Sequence, residues 1–223
     1  MAHLDLEEQE QLDQFKHFWK SYGNFITNVL LVVLLGVAGW NGWQYWQRSE
    51  ATKAAAMFEE FERVARSGDI TRVDRALADI KDKFGSHLYA HQAGLMAGKL
   101  YAQAGKPEQA QAALRWVADK SGDEGCASLA RLRLAGLQLD AKAYDDALKT
   151  LGADFPAAFA PLADDRRGDI FLAQDQKARA VEAYTRAYKA MDDRMDYRRL
   201  VEVKLIALGA GPQADKIAIG AAK

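Results

Sequence analysis

Cysteine is almost absent. Cys126 is the only one in 223 residues, which rules out an intramolecular disulfide and a disulfide-scaffold fold. A lone thiol fits a reducing or an oxidising compartment equally. Proline is nearly as scarce, with four in the chain, while Ala, Leu, Lys, Arg, Glu and Gln abound. That balance predicts an all-α fold. An excess of either charge is also missing. Lys and Arg number 30 against 31 Asp and Glu, and beyond residue 46 the count is 28 against 26. A net of about +2 on that stretch argues against a nucleic-acid partner.

Patterns that carry chemistry are lacking too. His87 and His91 lie four apart on one predicted helix, but the Glu of H-E-x-x-H and any third ligand are absent, so they read as helix-surface histidines rather than metal ligands. Gly94 and Gly98-Lys99 have the wrong spacing for a phosphate-cradling loop. Cys126 follows Gly122 and Gly125 with no histidine partner in view. Asp164, Asp165, Arg166 and Arg167 read as a solvated charge run at a helix start. No catalytic, cofactor-binding or metal residue is assigned, and the chain reads as a non-enzyme.

What is present begins with FITNVLLVVLLGVAGWNGWQYW, Phe25 to Trp46, 22 residues without a charged side chain. As a helix it spans roughly 33 Å against a hydrocarbon core of about 30 Å. Its ten Phe, Ile, Val and Leu residues favour insertion by on the order of 3–6 kcal/mol together. Trp19 and Tyr22 before the apolar run, and Trp40, Trp43, Tyr45 and Trp46 after it, form the aromatic belts of two membrane interfaces. Segment 25–46 is therefore expected to be a transmembrane helix. A cleaved signal peptide is the rival, since Gly36 and Ala38 fit a small-x-small site. However, the preceding 24 residues carry five carboxylates against two lysines, the wrong sign for a signal peptide. Flanking charge leaves orientation open: Lys16 and Lys20 balance Arg48 and Lys53.

Residues 1–24 read as an acidic tail with an amphipathic juxtamembrane helix, in which Leu12, Phe15, Phe18, Trp19 and Tyr22 recur at helical spacing. Past the span no Pro- or Gly-rich linker intervenes, and the apolar stripe Met57, Phe58, Phe61, Val64 and Ala65 continues the helical period. A tetratricopeptide-like domain is expected over 47–208. Small or anchoring residues of the second helices fall at Ala76, Ala110, Ala147 and Ala180, with spacings of 34, 37 and 33. Twelve positions earlier stand Val64, Gly98, Ala135 and Gly168, and three beyond those Ser67, Tyr101, Gln138 and Phe171, where the pattern wants an aromatic. Four beyond each anchoring alanine come Ile80, Leu114, Leu151 and Tyr184. Gly105-Lys106-Pro107 and the Asp154–Pro161 stretch supply turns. A helix near 194–208 is expected to cap the solenoid, with Leu200, Val203 and Ala207 inward, and 209–223 is left as a C-terminal tail.

The acidic tail, the span ending in GWQYWQ (Gly42 to Gln47), the helical repeats and the unit DDRRGDIFLAQDQKARAVEAY (Asp164 to Tyr184) follow in an order that resembles the YfgM family. Its members are ancillary subunits of the SecYEG translocon in Gram-negative bacteria. The resemblance implies a single-pass protein of the bacterial inner membrane, with its N-terminus cytoplasmic and its repeat domain periplasmic. It implies partnership with the SecYEG translocon and with the membrane-anchored periplasmic chaperone PpiD, and contact with secreted-protein clients. It implies no catalytic residues and no cofactor. The alternative is a tetratricopeptide scaffold for another envelope assembly, such as cell-wall synthesis or cytochrome maturation.

In such repeats the first helix of each hairpin lines the concave side. In the register of the anchoring alanines, that face is expected to offer Gln92, Leu95, Lys99 and Gln103 in the second unit and Leu129, Leu132 and Leu139 in the third. Leucines among scattered polar groups suit an unfolded segment or a partner helix. The competing expectation is that the chain's own helices use those leucines as core.

Overall fold

The computed structural model describes residues 6–211, with side chains from residue 10 onward. The first five residues of the acidic tail and all but the start of the predicted 209–223 tail lie outside them. Among the described residues there are nine α-helices and no strand. The chain divides into two compact units, Met1–Lys53 and Ala54–Lys223.

The first unit is formed by the N-terminal part of α1 (Leu6–Arg66). Phe25, Val29 to Leu35 and Val37 are 45–69% exposed along it, with a mean hydropathy of 1.7 over the most apolar stretch. So much exposed hydrocarbon has no stable place in water. This is the one helix among the described residues long and apolar enough to cross a membrane. Its polar interruption is satisfied locally, since Asn41 Nδ2 donates to the Val37 carbonyl at 3.0 Å. The amphipathic segment, the span and the apolar stripe from Met57 to Ala65 all lie on this one unbroken helix.

The second unit stacks helical hairpins. The end of α1 pairs with α2 (Ile70–Phe84), α3 (Leu88–Gln103) with α4 (Pro107–Lys120), α5 (Glu124–Asp140) with α6 (Tyr144–Thr150), and α7 (Ala160–Ala173) with α8 (Lys177–Ala190); α9 (Asp196–Ala207) comes last. Asp69 caps α2 by accepting from Arg72 N, and Asp123 caps α5 by accepting from Cys126 N at 2.7 Å. Helices α3, α5, α7 and α9 end alike. Gly105, Lys142, Asp175 and Gly209 are left-handed, with φ of 68, 59, 59 and 75°. The next residue's N–H donates five positions back: Lys106 to Tyr101, Ala143 to Gln138, Gln176 to Phe171 and Ala210 to Leu205, all at 2.8–2.9 Å. This closing turn satisfies carbonyls that the helix end would otherwise strand. Lys142 and Asp175 adopt it without glycine's freedom.

Inside each hairpin, residues sixteen apart fill one another's space. A Cβ on Gly98 would lie 2.7 Å from Leu114 Cγ, and one on Gly168 would lie 2.5 Å from Tyr184 Cδ1. Leu114, Leu151 and Tyr184 are all buried, as are Ala110, Ala147 and Ala180. The small residues at the predicted positions are therefore what allow a bulky partner to seat against the facing backbone.

Three local expectations change. The inward face of α9 is Val201 and Leu205, packed with Tyr184, Ala187 and Met191; Leu200 and Val203 are 47% and 60% exposed, and Ala207 is exposed too. The helix carries two apolar stripes, and Tyr197 and Lys204, which bond inward, decide between them. The Asp164–Arg167 run is not a solvated cap, because Asp165 is 1% exposed. His91, expected on a surface, is also buried.

Candidate functional site

Position 61 and its equivalents join one unit to the next. Phe61, Leu95, Leu132 and Asp165 recur at spacings of 34, 37 and 33, and all four are buried. Phe61 packs among Val73, Ile80, Ala90 and Ala93 of α2 and α3. Leu95 packs with Ala130 and Leu134 of α5, and Leu132 with Ala163 and Ile170 of α7. Leu95 and Leu132 are 7% and 8% exposed, so the structure puts these two predicted groove residues in the core rather than on an open face. The reason is that this position meets the first helix of the following unit. Gln92, Leu129 and Leu139 are half-buried, with Leu129 and Leu139 packed against the neighbouring core clusters, while Lys99 and Gln103 are exposed.

At the last junction the apolar residue is replaced by a carboxylate. Asp165 accepts from Tyr197 Oη at 2.7 Å and from Lys204 Nζ at 2.8 Å, both on α9. Lys204 also reaches Asp169 at 2.6 Å, which in turn accepts from Tyr184 Oη at 2.8 Å. Burial, aided by the hydrogen bond to Asp169, pushes the Tyr184 phenol well above its ordinary range; burial and Asp165 do the same to Tyr197. Beside this cluster Arg167 binds Asp164 at 2.8 Å and the Leu151 carbonyl, tying α7 to the end of α6. In the Arg167-Gly168-Asp169 stretch Gly168 is buried, and the half-buried Arg167 and Asp169 are both engaged in contacts within the fold.

His91 packs at a tilt on Trp116, ring centroids 5.2 Å apart, and Nε2 has no hydrogen-bond partner. Burial lowers its pKa, partly offset by a hydrogen bond with the Gly85 backbone and by the Asp123 carboxylate. Lys81 lies over the Trp116 ring at 4.6 Å. His87 stacks on Tyr89 instead of joining His91. Among the described residues no three His, Cys, Asp or Glu side chains gather in a form that could hold a metal. Cys126 is half-buried, and burial raises its thiol pKa.

A half-open groove of about 610 Å³ lies between α4, α5 and α6, lined by Arg115, Arg131, Gln138, Lys149 and Thr150 among others. None of the seven predicted residues lines it. The sequence held one sign of it, the missing aromatic at Gln138.

The architecture has known counterparts. Residues 16–210 match the family described as tetratricopeptide repeat-like domain. A protein of Neisseria gonorrhoeae (strain ATCC 700825 / FA 1090) named ancillary SecYEG translocon subunit is 31% identical over 208 residues, which cover 93% of this chain and 99% of that protein. No solved structure matches the chain. With an apolar helix, stacked hairpins and a relative aligned over nearly its whole length, the chain belongs to the YfgM family and carries its tetratricopeptide repeat-like domain.

Proposed function

We propose that this chain is a non-enzymatic, membrane-anchored scaffold ancillary to the SecYEG translocon. Segment 25–46 would lie in the bacterial inner membrane, with the N-terminus cytoplasmic and the repeat domain periplasmic. There the domain would link the translocon to the membrane-anchored chaperone PpiD and to emerging secreted proteins. The observation that carries the reading is the alignment with the translocon subunit over 99% of that protein's length, spanning both the apolar helix and the repeats. The exposed Lys99 and Gln103 and the half-buried Gln92, Leu129 and Leu139 would supply hydrogen-bonding and apolar groups for protein contacts.

Two measurements test this. In a Cys126→Ala background, cells with permeabilised outer membranes are treated with an impermeant thiol reagent. Glu8→Cys should stay protected and Ala221→Cys should label; the reverse pattern would put the domain in the cytoplasm and end the reading. Affinity purification of the full chain in mild detergent should then enrich translocon subunits and PpiD. Enrichment of a cell-wall or cytochrome-maturation assembly instead would move the scaffold to that complex.

A further inference from the structure

The third hairpin departs from its neighbours in a coupled way. In the second unit the first helix ends on Tyr101, 2% exposed, packed in one cluster with Ala113; in the fourth it ends on Phe171, packed with Ala183. The third unit puts Gln138 and Thr150 at those two places. Both members of an aromatic–alanine pair have become polar, and they bond to each other: Thr150 Oγ1 donates to Gln138 Oε1 at 2.8 Å. No ring fills the space between α4 and α6, and the groove of about 610 Å³ stands there with this pair in its lining.

The lining is built for a polar chain. Gln138 is 5% exposed, its carbonyl oxygen is taken by Thr150, and its amide N–H₂ donates to no other described residue. An amide donor left free in the wall of an open groove can donate to a peptide carbonyl. Arg115, Arg131 and Lys149 form no ion pair among the described residues, and only Arg131 has a backbone bond, to Ala118 O at 3.3 Å. Asp119 and Asp146 offer acceptors at the edge. The apolar lining is Ala118, Leu134 and Ala153, with no aromatic surface to sandwich a ring. The size falls within the range of ligand sites, about 300–1,000 Å³. Its open side suits a strand passing through rather than a molecule enclosed.

We propose that this groove binds an extended peptide segment carrying one acidic side chain. The carboxylate sits among Arg115, Arg131 and Lys149, a main-chain carbonyl accepts from Gln138 Nε2, and peptide N–H groups donate to Asp119 and Asp146. This goes beyond the translocon reading and depends on α4, α5 and α6 alone, so either stands if the other fails.

The test uses the full chain in mild detergent and three fluorescent nonapeptides of Gly, Ser and Thr that differ at the fifth residue, which is Glu, Gln or Lys. The Glu peptide should bind saturably. The Gln peptide should bind about tenfold more weakly, as loss of a charge-assisted contact implies, and the Lys peptide more weakly still. Gln138→Tyr with Thr150→Ala restores the pair used by the neighbouring units. It should keep the helical melting transition and lose at least about tenfold in Glu-peptide affinity. Arg115→Ala with Lys149→Ala alters exposed side chains only and should erase the preference for Glu over Gln; this arm decides if the first variant does not fold. Absence of saturable binding by all three peptides would overturn the proposal. So would equal affinity for the Glu and Lys peptides, undiminished binding by the folded Gln138→Tyr, Thr150→Ala protein, or a preference for Glu that survives loss of both exposed cations.

Discussion

Lys204 sets its ammonium 2.8 Å from Asp165, a carboxylate that is 1% exposed, and so fixes α9 to α7 by charge where the preceding junctions use hydrocarbon. A buried ion loses its hydration on folding and recovers it only through its partners. Lys204→Met removes one partner and leaves two carboxylates facing the gap. About 2–3 kcal/mol of stability should be lost, somewhat less than for a fully interior pair because the lysine keeps some solvent contact. Urea unfolding measures the loss, and amide exchange should quicken first in α9. A wild-type exchange profile in α9 would contradict the role given to Lys204.

Gly168→Ala should cost about 1–3 kcal/mol, because the new Cβ would collide with the buried Tyr184 ring, itself held by Asp169. Gly136→Ala provides the contrast. Its nearest neighbour would be Arg166 Cζ at 3.8 Å, an ordinary contact, so the better helix former should stabilise by up to about 1 kcal/mol. Thermal melting of the two variants should move in opposite directions.

Stability should fall on mild acidification through His91. Burial lowers its pKa below the ordinary 6.5, despite the opposing Gly85 bond and Asp123, while His87 adds a small push in the same direction as burial. The unfolded chain therefore binds a proton that the folded chain refuses, and the unfolded state gains as pH drops below 6.5. Above that value the contribution is fully present. His91→Phe keeps a ring against Trp116 and removes the proton site, so its melting temperature should decline less than the wild type's between neutral pH and the acid side of the window. Parallel declines would show that His91 does not carry the effect.

Leu132→Glu places a carboxylate between α5 and α7, in the cluster that holds Ala163 and Ile170. Several kcal/mol should be lost, on the order of 3 or more. A change within about 0.5 kcal/mol in urea unfolding, as for an exposed site, would mean that the leucine faces an open surface after all.

Residues 47–223, produced without the span, should be soluble and helical by circular dichroism, since the unit from Ala54 onward holds its own core. Aggregation or substantial sheet signal would contradict the hairpin stack.

Much of this was legible because it rests on spacing. The sixteen-residue relation between Gly98 and Leu114 or Gly168 and Tyr184 needs one small and one large residue at fixed positions, and the sequence displays both. The apolar stretch of α1 is legible for the same reason: charge is absent where a bilayer forbids it. Burial of polar groups was not legible. Asp165 looked like a solvated cap because nothing in a local window shows that Lys204, 39 positions on, folds back to it. His91 looked exposed because helical period alone does not reveal that Trp116 covers it. The groove beside Gln138 was half visible. The lost aromatic could be noted from the repeat pattern, but its hydrogen bond to Thr150 exists only once α5 and α6 are packed.

The run Phe61, Leu95, Leu132, Asp165 has a consequence for how such a chain can be rearranged by duplication or recombination. A hairpin ending in an apolar junction can be followed by any unit that presents hydrocarbon, so copies of the second and third hairpins are in principle exchangeable building blocks. The fourth is not, because its junction carboxylate tolerates only a successor that brings a cation and a phenol, as α9 does. Shuffled into the interior, it would strand a charge against an alanine- and isoleucine-lined helix. The order of the hairpins is thereby written into the chemistry of one side chain per unit, and the array carries its own terminator.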